Sequence, residues 1–147
     1  MTVPANRFAF VLHPLTVDYL ANHPRYAWTR HLPSTLVEAA AAHMPGRYVG
    51  TVTGGRSPAT GRSVDGLIYA LGATPRQMLT RPPDFTYRRI NRAVQDAAER
   101  GAKIVGLGAF TKVVGDAGVT IAKRASIPVT TGNSLTIAAT LETAKLT

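Results

Sequence analysis

The sequence predicts an α/β domain of three layers, α/β/α, around a mainly parallel sheet, and three observations carry that reading. The C-terminal part alternates apolar runs with helical segments, KIVGLGAF then TKVVGDAGVTIAKRA, and IPVTTG then NSLTIAATLETAKL, the rhythm of parallel crossover units. The apolar runs carry no polar alternation, so both of their faces are expected to be covered. A chain of 147 residues with a hydrophobic fraction of 45% suffices for one core, so a single domain is expected over 1–147.

The elements follow in order. Arg7 to Leu12, RFAFVL, is a buried strand closed by His13-Pro14. VDYLANHP forms a short helical piece, and Pro33-Ser34 opens the alanine-rich helix TLVEAAAAHM, which Pro45-Gly46 stops. RYVGTVTG reads as a strand, GGRSPATGRS as a loop and SVDGLIYALG as a third strand. Thr74 to Arg81 gives one or two helical turns before Pro82-Pro83 breaks them. From Asp84 onward Ile90, Val94, Ala97 and Ala98 repeat at helical spacing, Arg88, Arg89, Arg92 and Glu99 take the opposite face, and Gly101 ends the helix. The last helix is still apolar at Leu141, Ala144 and Leu146, which reads as a cut in a longer polypeptide.

Composition removes several classes of function. Without cysteine there is no disulfide, thiolate metal site or cysteine nucleophile. His13, His23, His31 and His43 are dispersed and no acid cluster joins them, so no metal site is expected. Asp65 and Asp116 show no partner for paired-carboxylate chemistry, and no residue is singled out as acid, base or nucleophile. The net charge of +9 suits an acidic protein or an anionic ligand, whereas the lack of a Lys/Arg block interleaved with aromatics disfavours nucleic acid. No apolar run reaches membrane-spanning length and no secretory leader opens the chain, so no membrane span and a cytoplasmic location are expected. Tyr19, Tyr26 and Trp28 suit either a lid or a satellite apolar cluster.

KIVGLGAFT carries glycines from a strand into a helix, as a dinucleotide loop does. The fingerprint needs a further glycine where Thr111 stands, and the next strand, IPVTT, lacks the acid that holds a ribose. The loop is therefore read as one wall of a substrate cleft, with VTTGNSLT as its neighbour on the same sheet edge. Gly108, Phe110, Thr111, Thr131, Gly132, Asn133 and Ser134 are the candidate lining residues, acting as positioning groups. Arg88, Arg89 and Arg92 are candidates for docking an acidic protein or a phosphate-bearing ligand.

GLGAFTKVVGDAG, followed by VTTGNSLTIAATLE and preceded by RRINRAVQDAAERGAKIVGLGAF, resembles the N-terminal region of the long-chain acyl-carrier-protein reductases, which make fatty aldehydes, and of related shikimate or amino-acid dehydrogenase-like proteins. The resemblance is carried by the part after Asp84. Before it, only the strand ending in His13-Pro14 and the RYVG strand correspond. It implies an amino-acid-dehydrogenase-like substrate domain that precedes a Rossmann domain. That downstream part would hold NADPH and the cysteine that accepts the acyl group. The implied substrates are acyl carrier protein or coenzyme A thioesters. Two alternatives stand beside it: a shikimate or amino-acid dehydrogenase-like oxidoreductase domain, and a stand-alone basic module for an acidic protein or anionic ligand.

Overall fold

The computed structural model describes residues 6–108, 115–131, 140–142 and 144–145. Its elements run β1 (Asn6–Leu12), α1 (Asp18–Ala21), a 3-10 helix (Pro24–His31), α2 (Ser34–Ala42), β2 (Arg47–Arg56), β3 (Ser63–Ala70), α3 (Pro75–Thr80), α4 (Pro83–Glu99), β4 (Ile104–Leu107), α5 (Val119–Arg124) and β5 (Val129–Thr130). Residues 140–142 and 144–145 are helical. The protein is an α/β domain whose five-stranded sheet has the order β2-β3-β1-β4-β5, in agreement with α/β/α layering. β1 pairs in parallel with β3 and β4, and β4 with β5.

The departure from a purely parallel sheet is β2, which pairs antiparallel with β3. Residues 57–62 close this hairpin, with Ser57 N–H donating to the Arg62 carbonyl at 2.9 Å and Gly61 N–H to the Ser57 carbonyl at 2.8 Å. A connection this short permits only an antiparallel return, since a parallel one needs a crossover of a dozen residues or more. The consequence is geometric. Arg47 opens β2 opposite Ala70, the last residue of β3, so the segment from β1 to β2 begins and ends at the carboxyl edge of the parallel strands. α1, the 3-10 helix and α2 lie within that segment.

The core lies under α4. Ala9 and Val11 of β1, Leu67 and Tyr69 of β3, and Val105 and Leu107 of β4 face Ile90, Ala93, Val94 and Ala97, all buried, and Ile121 of α5 joins them. The helix provides this stripe because those residues fall at spacings of three and four. Pro83 suits its first turn, where its missing N–H leaves no bond unmade. The other face of the sheet carries Phe8, Phe10, Leu12 and Ile104, of which Phe10, Leu12 and Ile104 remain 38%, 37% and 41% exposed. Phe8 lies over Gly66 and Phe10 over Gly106: a Cβ on either glycine would stand within 3 Å of the ring.

Tyr69 extends the core into a polar contact. Its hydroxyl donates to Asp96, which also accepts from Arg100 Nε at 2.8 Å, and the Arg100 guanidinium lies over the Tyr48 ring. Burial, then the bond to Asp96, raises the Tyr69 phenol above its ordinary range, while the bonds from Tyr69 and Arg100 hold the Asp96 carboxyl below its own. A carboxylate depressed in the folded state contributes stability above its unfolded pKa of about 3.9 and loses it as pH falls through the lower folded value. Melting temperature should therefore drop more steeply on acidification below about pH 4 for the parent than for Asp96→Asn. Parallel slopes in thermal melts across that window would remove Asp96 from the acid response.

Candidate functional site

The strand order fixes where a cleft belongs. From β1 the chain builds β3 on one side and then β4 and β5 on the other, so the connections part above the carboxyl ends of β1 and β4, and ligands of open α/β sheets bind at such a point. Leu12 and His13 stand at one lip, Leu107 and Gly108 at the other. Gly108 N–H donates to the Val11 carbonyl at 2.9 Å, and His13 Nδ1 lies 3.0 Å from the Pro14 carbonyl oxygen, closing a local turn. Thr131 follows β5 on the same edge. Of the candidate lining residues, Gly108 and Thr131 are thus placed together, and Phe110, Thr111, Gly132, Asn133 and Ser134 lie outside the described residues.

Neighbouring side chains account for the glycines of β4. A Cβ on Gly106 would stand 2.9 Å from the Phe10 ring, and one on Gly108 would stand 2.5 Å from Leu12 Cδ2. Close approach of β1 side chains thus favours glycine at both positions, although the atoms met are side-chain tips. Thr130 and Thr131 stand at the end of β5, and residues 109–114 of the glycine turn lie outside the described residues.

The turn after β4 is held from α4. Tyr87 donates its hydroxyl to Asp116 Oδ1 at 3.1 Å and accepts from the Asp116 N–H at 3.0 Å. Asp116 Oδ2 accepts from the Thr120 N–H at 2.9 Å and hydroxyl at 2.6 Å. The Thr120 hydroxyl bond foremost, with Tyr87 adding to it, holds the Asp116 carboxyl below its ordinary range. Gly115 and Gly118, with φ of +67° and +91°, let the chain turn back to meet the tyrosine. Asp116, which had no partner apparent in sequence, is a structural clasp, and Asp65 pairs with Arg7 at 3.6 Å.

The candidate arginines divide. Arg88 and Arg92, one helical turn apart, line a groove of about 970 Å³ together with Asn91, Gln95 and the carboxylates Asp96 and Glu99 of α4 and with Arg124 at the end of α5. Arg89 turns away: its guanidinium stacks on Phe85 at 3.6 Å and donates to the Phe85 carbonyl at 2.7 Å. Burial, then neighbouring Arg81 and Arg88, lower its pKa. Arg124 replaces it as the third cation of the groove and makes a 3.4 Å contact with Asp84. The side-chain oxygen of Asn91 is buried there with no hydrogen-bond partner among the described residues. Spacing could reveal Arg88 with Arg92; Arg124 required the tertiary fold.

Among the described residues no group of His, Asp or Glu could hold a metal ion, and no helix is long and apolar enough to cross a membrane. No protein-family model matches the chain. Over 78 residues it is 37% identical to the aminotransferase PigE of Serratia sp. (strain ATCC 39006), a match that covers 53% of this chain and 9% of that protein.

Proposed function

We propose that the chain is the substrate-side domain of an NADPH-dependent reductase that converts acyl thioesters, carried on acyl carrier protein or coenzyme A, into aldehydes. The observation that carries this reading is the apolar approach to the sheet crevice. Leu12 meets Gly108 at the lip, and Phe10 continues the exposed apolar track along β1. A hydrocarbon chain ending in a polar thioester matches a track that is apolar along the sheet and lined by backbone and hydroxyl groups at its edge. A small hydroxy or amino acid would call for polar side chains along that approach instead, which disfavours the shikimate or amino-acid dehydrogenase-like alternative.

The α4 groove, where three guanidiniums outnumber the carboxylates of Asp96 and Glu99, supplies the second half of the reading. Arg88 and Arg92 suit the acidic surface of a carrier protein or the phosphates of its prosthetic arm. The residues of this domain bind and orient. The nicotinamide cofactor belongs to the remainder of the enzyme, and so does the nucleophile. Similarity to a segment of a much longer aminotransferase supports a role beside other domains. Aminotransferases use carbonyl compounds, and the aldehyde left by thioester reduction is one.

The same groove favours one other reading, a basic module that recruits an acidic protein without chemistry. Titration of the chain with acyl-loaded and with unloaded carrier protein separates the two. The reductase reading expects the loaded carrier to bind more tightly, and expects Arg88→Ala with Arg92→Ala to weaken binding roughly tenfold or more, with added salt acting in the same direction. Equal affinity for loaded and unloaded carrier would favour the module, and no binding to either would sink both.

A further inference from the structure

We propose that a second pocket, between the 3-10 helix and the head of β2, binds a mononucleotide, with its base against Tyr19 and Tyr26 and its phosphate against Arg25 and Arg47. The pocket has a volume of about 450 Å³, within the range of small-molecule sites, and its floor is the end of β3 at Ala70, Leu71 and Gly72. It stands on different elements from the α4 groove, and the proposal does not depend on the reductase reading.

The argument is one of lining chemistry. Tyr19, Tyr26 and Tyr48 bring three phenol rings to one concavity, and the His23 imidazole lies 5.4 Å from the Tyr26 ring, tilted by 40°. The Tyr48 ring already carries the Arg100 guanidinium, which leaves Tyr19 and Tyr26 for a planar partner, and a nucleobase is planar whatever its sequence-reading edge. Arg25 and Arg47 add two guanidiniums, and no carboxylate lines the pocket. Neither arginine has an ion-pair partner among the described residues. Arg47 is instead positioned by a phenol: its Nη1 donates to the Tyr26 hydroxyl at 2.6 Å. That bond spends one of its donors and leaves the rest of the fork for a phosphate oxygen.

The lining thus accommodates planarity and negative charge together. An apolar ring alone would leave the two guanidiniums without counter-charge, and inorganic phosphate alone would leave the rings without a partner. A nucleotide supplies both features. The same chemistry comes either from a free nucleotide or from the adenosine phosphate end of coenzyme A.

Calorimetric titration of the full chain with AMP, adenosine, inorganic phosphate and coenzyme A tests the assignment. AMP should bind roughly tenfold or more tightly than adenosine or phosphate. Arg25→Ala should weaken AMP binding by about that factor at unchanged melting temperature, because Arg25 is exposed and its side chain makes no hydrogen bond or ion pair among the described residues. Tyr19→Leu should reduce the preference for AMP over phosphate. Coenzyme A binding above AMP assigns the pocket to the thioester carrier, and AMP binding above coenzyme A assigns it to a free nucleotide; either supports the proposal. AMP binding no tighter than phosphate, or indifferent to Arg25→Ala in a variant that melts like the parent, overturns it.

Discussion

Gly72→Ala should destabilise the protein by roughly 3 kcal/mol and lower its melting temperature by about 6–12 °C. Gly72 follows β3 where the chain passes beneath α2, and a Cβ built there would stand 2.0 Å from the Ala41 carbonyl oxygen and 3.1 Å from Met44 Cβ. The first of these atoms is helix backbone, which cannot swing aside as a side-chain tip can. Relief requires α2 to lift from the carboxyl edge, and Ala41 and Ala42, both fully buried, would lose their packing with it. Gly50→Ala is the matched control, because nothing lies within 4 Å of its added methyl, and it should stay within about 0.5 kcal/mol of the parent. Coincident thermal and urea transitions for the parent and Gly72→Ala would show that α2 does not sit against Gly72.

That contact also shows where sequence reading stops. The pattern of α4 was legible from Asp84 onward because its signals are local, Ile90, Val94 and Ala97 on one stripe and Gly101 just past the end, whereas Pro83, read as a breaker, is its first residue. β1 was legible as an apolar run closed by His13-Pro14. The direction of β2 was not read, although GGRSPATGRS is too short a link for a parallel return. The glycines of KIVGLGAF could be weighed against a fingerprint, but not against Phe10 and Leu12, which lie about a hundred residues earlier and meet them only across the sheet. Arg88, Arg89 and Arg92 look alike along the chain; the structure separates them because residue 89 faces Phe85 and His43, whereas 88 and 92 face outward over the groove. The Tyr87–Asp116 clasp and the Tyr26–Arg47 bond join distant segments with no motif to announce them. Local periodicity therefore placed the elements, and side-chain chemistry at the site awaited their packing.

Ile90→Ala should cost roughly 3 kcal/mol, within the range of about 2–5 for such truncations, and Ile90→Val about 1 kcal/mol. Ile90 is fully buried in the stripe of α4 that covers β1, β3 and β4, and no exposed segment is available to fill the space left by its removal. The same helix carries Arg88 and Arg92 on its outer side, so its two faces can be tested apart. Ile90→Val should lower the melting temperature while leaving carrier-protein affinity within twofold or so, because the backbone that presents the arginines is retained. Arg88→Ala should do the reverse, with a stability change within about 0.5 kcal/mol and a loss of affinity. If Ile90→Val instead weakened binding as strongly as Arg88→Ala, the groove would depend on core packing rather than on its guanidiniums. If Ile90→Ala cost under about 1 kcal/mol, α4 would not be the cover of the sheet.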